Sequence, residues 1–368
     1  MSLTYAQKRD IQDQFSTKSV DEIASNLGIS RKVIEKHMAK NPKIFLQQKE
    51  GNSQLLPVSE KISYLILLGM IVIAVYINGM WNAFVSDDIF VIVNYEDLLQ
   101  SVHYFLIQPT MLIRNIQFFL AYQIGGLTPF FFRLPNLMFH MGFVSIVYLI
   151  MPFFSKHKYL PFIVAVIAAV HPMMVESVTW ISGGIYSQAA FFAVLSLYLY
   201  LRGSHQKKSR FYIYSAIVAF IAMTSSEKTI IFPFIILLYE FSFGNLKSAW
   251  RRITAFFGIS LVWGIVLLGQ VNSRLSYLQV TNGSASKFQF NNPFIQVPVA
   301  LSKYLELFTW PDKLTLYQSE YAMGPLQFGI RATVTILFFV IIAISYKKNR
   351  PLFFWLSFFF ITLLTTLN

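Results

Sequence analysis

From Ile62 onward the chain is a succession of long apolar runs separated by short polar breaks. Runs of that length read as membrane helices. The pattern predicts them near 62–81, 130–151, 159–175, 181–201, 211–226, 229–243, 252–271, 329–346 and 351–368. A further apolar stretch, 294–310, is short and interrupted by Pro298, Lys303 and Glu306, and is read as an interfacial or re-entrant helix. The expected fold is therefore all-α, a polytopic bundle of about nine to ten membrane helices.

The first 61 residues break this pattern. They hold ten Lys/Arg against seven Asp/Glu and lack the apolar core of a cleavable signal peptide. Residues 19–39 place Ile23, Leu27, Ile29 and Ile34 as two short helices packed across a turn. Ala24 permits close approach, Gly28 supplies the positive φ, and Ser30 can cap the second helix. The expected division is a helix-turn-helix-like cytoplasmic module at 1–50, a linker at 51–61, and the membrane domain at 62–368. As a DNA reader the module would present Arg31, Lys32, Lys36 and His37 to the groove. A small module for protein contact is the stronger reading, since the segment's charge balance is close to neutral and it is tethered to a membrane.

Loop charge orients the bundle. Breaks 152–158, 202–210, 244–252 and 347–350 hold twelve Lys/Arg and no acid. Segment 82–129 holds Asp87, Asp88, Glu96 and Asp97 against Arg114 alone. The basic breaks and the N-terminus are expected in the cytoplasm, and 82–129 on the outer face of a bacterial-type plasma membrane. Composition agrees: 55% of the 368 residues are apolar and 13% charged, whereas a soluble domain is about a quarter charged. The formal charge of +13 falls largely in the basic breaks, so it reports topology rather than nucleic-acid binding. The chain has no cysteine, which excludes disulfides, thiolate metal sites and cysteine nucleophiles.

Charged groups outside the cytoplasmic breaks gather on one side, where burial in lipid would be costly. Asp87 and Asp88 follow the first membrane helix. Arg133 and Asn136 begin the second, His171 and Glu176 end the third, and Glu227 and Lys228 form the next outer turn. The arms 211–226 and 229–243 each span roughly 23 Å, short of a hydrocarbon core about 30 Å thick. Their turn is therefore expected in a protein-lined cavity below the outer surface. A carboxylate within reach of an acceptor hydroxyl can act as general base. Asp87 is preferred for that role over Asp88, because neighbours in an extended segment point to opposite sides. Arg114, Arg133, His171 and Lys228 are candidates to hold a departing lipid phosphate, with Glu176, Glu227 and Asn136 as acceptor-side or cavity residues. Base and phosphate binders on one face point to group transfer from a lipid phosphate. A lipid-linked glycan flippase using the same cavity, and a membrane-tethered regulator reading DNA through 19–39, are the alternatives.

Asn82, Phe84-Val85, Asp87-Asp88, Ile92 and Asn94 resemble the first outer loop of GT-C superfamily glycosyltransferases. The likeness is greatest to transmembrane O-mannosyltransferases that carry tetratricopeptide repeats, and to their bacterial relatives. Gly126, Pro129, Leu134, Asn136 and His140 resemble the next motif. The stretch His171-Pro172, Glu176-Ser177-Val178 and Ile181-Ser182-Gly183 resembles the third, Glu227 with Pro233 and Tyr239 the fourth, and Pro311, Leu314 and Tyr317 the last. The chain departs from the family at Gln108, Arg133, Gly184, Tyr186 and Ser226, lacks the repeats, and stops at Asn368 where family members continue, as a fragment or a short form would. The resemblance implies an inverting transferase that takes a sugar, mannose in the nearest relatives, from a polyprenyl phosphate. The acceptor would be a protein or glycan hydroxyl, with Asp87 as base. No cofactor beyond this donor is implied; aspartates could bind a divalent ion, but no metal-ligand spacing stands out.

Overall fold

The computed structural model describes residues 11, 14, 20–40, 58–104, 109–269, 292–312, 314 and 324–366. Among them there is no strand. The helices are α1 (Val20–Leu27), α2 (Arg31–Lys40), α3 (Val58–Tyr76), α4 (Asp87–Val91), α5 (Glu96–Leu99), α6 (Leu112–Gly125), α7 (Pro129–Ile150) and α8 (Leu160–Val170). There follow α9 (Val175–Thr179), α10 (Gly184–Gln206), α11 (Ser209–Ser225), α12 (Phe232–Ser242), α13 (Leu246–Leu268), α14 (Pro293–Thr309), α15 (Pro325–Lys348) and α16 (Arg350–Leu363). The linker expected at 51–61 lies mostly outside the described residues.

Among the described residues, five helical segments are long and apolar enough to cross a membrane: 58–79, 129–153, 184–206, 246–268 and 325–348. The chain is an integral, multi-pass membrane protein, and the regular structure of its described residues is helical. The other expected spans are shorter. Residues 160–179 form a pair bent by 54°, and α11, α12 and α16 run for 17, 11 and 14 residues. The bend has a local cause. Pro172 disfavours helix at the residue before it, and His171 is extended (φ −62°, ψ 128°). Its Nδ1 accepts a hydrogen bond from Met173 N–H and so caps the short turn that follows. Ser226, between α11 and the turn before α12, is also extended, with φ −154° and ψ 132°, though no proline follows it.

Lipid removes the hydrophobic drive for helices to meet, so packing rests on small residues and polar pairs. Helices α10 and α11 are joined by Ser196 and Ser215, whose hydroxyls each donate to the other's carbonyl at 2.7 Å. The main core lies among α10 to α13 and α16, around Tyr200, Met223, Phe232, Phe256 and Phe354. A second core packs α3, α7 and α8 through Leu68, Val72, Val144 and Ala165.

One acidic residue in this core has a full set of partners. Glu240, 3% exposed, accepts from Tyr200 Oη at 2.6 Å and from Asn245 N–H at 3.1 Å. Arg252 Nη2 approaches it at 3.6 Å, with the guanidinium 4.3 Å over the Tyr212 ring. A Cβ on Gly244 would sit 1.9 Å from Glu240 Oε2, so a larger residue there must push the carboxylate out of this set. Glu240→Gln keeps the size but leaves Arg252 without its counter-charge; since Arg252 is partly exposed, we expect a loss of about 1–2 kcal/mol. A lower thermal midpoint in detergent would register it.

In the N-terminal module, α1 and α2 pack through Ile23 and Ile34 onto Ile11. Gly28 takes φ +60°, as the turn requires. Arg31, expected in the groove of a DNA reader, is paired with Asp21 at 2.9 Å and Glu35 at 2.7 Å.

Candidate functional site

The loop after α3 turns sharply at Ser86, which adopts φ 52°, a left-handed value costly for a residue with a Cβ. Such backbone persists only where its surroundings hold it. Here Arg133 does so from inside the bundle. It is 1% exposed; Nη2 donates to Ala83 O at 2.7 Å, Nε to Thr179 O at 2.7 Å, and Nη1 to the carbonyls of Asn82 and Met80. The guanidinium thus clamps the loop to the end of α9, and lies within electrostatic reach of Asp88.

The two aspartates part company after that turn. They open α4 rather than the extended stretch expected for them. Asp88 is fully buried: its Oδ1 accepts from Ser182 N–H at 2.8 Å and Ser182 Oγ at 2.6 Å, and its Oδ2 from Val85 N–H at 3.3 Å. Asp87 is exposed beside it. One carboxylate fixes the loop and its neighbour is left open to solvent.

Ser182 leads into a crowded pair of glycines. A Cβ on Gly183 would lie 2.5 Å from Glu176 O, and one on Gly184 would lie 2.0 Å from Asn136 Oδ1. Asn136 is buried and donates to Trp180 O at 3.3 Å and Ile181 O at 3.2 Å. It accepts from Gln117 Nε2 at 2.8 Å, and Gln117 in turn accepts from Gln188. Asn136 is therefore a hub of packing. Gly184→Ala must displace it, at about 1–3 kcal/mol, and we expect a lower thermal midpoint with a matching loss of activity.

Beyond Glu176 lies a cavity of about 470 Å³. Glu176, Lys228, Tyr186, Ser187 and Tyr304 supply its polar lining, with Met173, Met174 and Leu307 on its apolar side. The Lys228 ammonium sits 4.8 Å over the Tyr186 ring and within electrostatic reach of Glu176 and Glu227. Of the pair at this turn, Lys228 lines the cavity. His140 also lines it, with Nε2 3.3 Å from Ala169 O.

The remaining candidates are placed apart from this lining. His171 uses both ring nitrogens: Nδ1 accepts from Met173 N–H, which leaves Nε2 to donate to Phe308 O at 3.0 Å while the ring stacks on Phe308. It joins the bend to α14. Arg114, on α6, donates to Asn115 Oδ1 through Nε at 3.3 Å and Nη2 at 3.1 Å, and lies 5.7 Å from the Phe118 ring centre. Burial lowers its pKa, partly offset by Tyr104. Gln108 and Tyr317 lie outside the described residues. Ser182 was visible only as part of the third motif, and Gln117 and Gln188 were not anticipated; their place in apolar helices was the available signal. Among the described residues no group of three or more His, Asp or Glu is placed to hold a metal ion.

The chain is similar to a curated human protein, "Protein O-mannosyl-transferase TMTC2" [Homo sapiens], with 26% identity over 273 residues. The match covers 66% of this chain and 32% of the relative, so the chain spans about a third of that protein's length. No family model and no solved structure matches.

Proposed function

We propose that the chain is an inverting glycosyltransferase that moves a sugar from a polyprenyl-phosphate donor to an acceptor hydroxyl at the outer face of the membrane. Mannose is the sugar and a Ser/Thr hydroxyl the acceptor that the relative's name favours. The observation that carries the reading is the division of the aspartates: Asp88 buried and anchored to Ser182, Asp87 exposed on the same turn.

In this scheme the acceptor oxygen attacks C1 of the sugar while Asp87 takes its proton. The new O–C1 bond forms as the bond from C1 to the phosphate oxygen breaks, and the electron pair leaves with polyprenyl phosphate. Lys228 is the cavity's cation for that phosphate, and the aromatic rings of Tyr186 and Tyr304 flank the space a donor would enter. Arg133 and His171 act at one remove, by holding the loop and the bend, because their donors are already engaged. Arg114 is assigned to the outer segment rather than to the phosphate.

The reading is tested by transfer from polyprenyl-phosphate mannose to a Ser/Thr peptide by the purified full chain. Lys228→Gln should weaken donor binding on the order of 10–100-fold, the worth of a charge-assisted hydrogen bond. Unchanged donor affinity in this variant would remove Lys228 from the phosphate site, and absence of any sugar transfer with several donors would defeat the enzymatic reading.

A further inference from the structure

A second cavity, again of about 470 Å³, lies at the opposite end of α7 from Arg133. On α7 it is lined by Tyr148 and Leu149, 15 and 16 residues after Arg133, a rise of roughly 22–24 Å. Lys61 near the start of α3, Lys156 and Lys158 from the loop before α8, and Arg202 from α10 converge on it. Tyr148 and Tyr198 form part of its wall, and its described lining contains no acid. Glu60, outside the lining, approaches Lys158 at 3.7 Å and offsets one charge; the Arg202 guanidinium is braced 4.9 Å over the Phe211 ring.

Four cations facing one concavity repel each other unless an anion sits among them. The flanks say which kind. Ile62 and Ile66 on α3, with Tyr159 and Ile163 at the start of α8, are each at least half-exposed beside the cavity. A free phosphate would use the cations and leave this apolar flank bare, whereas a phospholipid satisfies both. We propose that the cavity binds the phosphate headgroup of an anionic phospholipid, with its acyl chains lying along α3 and α8. The basic end of the bundle is the end expected to face the leaflet rich in such lipids. The proposal requires a membrane protein but does not depend on the transfer chemistry at the other end.

The test uses the full chain in neutral detergent, titrated with short-chain phosphatidylglycerol, short-chain phosphatidylcholine, or inorganic phosphate. Phosphatidylglycerol should bind more tightly than phosphatidylcholine, and raising salt from about 0.05 to 0.5 M should erode the difference. Lys156→Gln/Lys158→Gln, at two exposed positions, should weaken phosphatidylglycerol binding roughly 30-fold, at about tenfold in affinity for each 1.4 kcal/mol and about 1 kcal/mol per cation. Lys247→Gln/Arg251→Gln, which removes the same charge from an exposed part of α13, should leave it within about twofold. Equal losses in the two double variants would reduce the effect to general surface charge and overturn the proposal. So would equal affinity of the wild type for the two lipids, or displacement of phosphatidylglycerol by inorganic phosphate at equal concentration, which would mark a site for the free anion. If the lysine variant were to unfold, the salt-sensitive preference of the wild type would still decide the matter.

Discussion

Asp87→Asn should lose about 10²–10⁴-fold in the rate of sugar transfer, the usual worth of a positioned general base. The substitution keeps the side chain's size and removes only its basicity. Asp87 is exposed, so the folded bundle should lose little, and the thermal midpoint should match that of the wild type. Asp88→Asn behaves differently. It weakens an acceptor of two hydrogen bonds from Ser182 in a fully buried setting, so activity and stability should fall together. Transfer by Asp87→Asn at a near-normal rate, alongside a large loss in a stably folded Asp88→Asn, would exchange the two roles.

Arg133→Gln should destabilise the protein by about 2–4 kcal/mol, as expected when several hydrogen bonds from a charged donor are lost. The carbonyls of Asn82, Ala83 and Thr179 lose donors that glutamine cannot replace in the same geometry, and each buried acceptor left unpaired costs about 1–3 kcal/mol. The strained turn at Ser86 then loses its clamp, so transfer should fail with the fold. Thermal unfolding in detergent, followed by donor binding below the midpoint, separates this from a direct phosphate contact. A variant that folds like wild type but no longer binds donor would return Arg133 to the phosphate site.

The helices were legible because membrane burial imposes a simple rule: a span is a long apolar run, and its breaks carry charge. That rule located α7, α10, α13 and α15 to within a few residues, at one or both ends. It also produced spans at 159–175 and 229–243 where the chain forms shorter pieces, because hydropathy does not record the extended His171 inside the first or the 3-10 turn Glu227–Ile231 that opens the second. The charges of the site were equally visible, while their partners were not. Arg133 and Lys228 both read as cations near the outer surface, yet one is spent on backbone carbonyls and the other faces a cavity. Which carbonyls converge on a guanidinium depends on how three distant segments meet, and no local pattern encodes that. Glu240 shows the same limit: an acid in an apolar run signals a buried partner, but Tyr200 and Arg252 lie 40 and 12 residues away in sequence.

The short helices on either side of the Glu227–Ile231 turn have a consequence for the lipid around them. Helix α11 with 17 residues rises by roughly 25 Å and α12 with 11 by roughly 17 Å, against roughly 35 Å for the 23 residues of α10. The bundle thus presents two apolar heights to its surroundings, one matched to an ordinary bilayer and one well below it. Where the low side meets lipid, the film must thin or tilt to avoid burying a lysine. Acyl chain length should therefore act on this turn before it acts on the rest of the fold, and short-chain lipids should relieve the mismatch at the mouth of the Lys228 cavity.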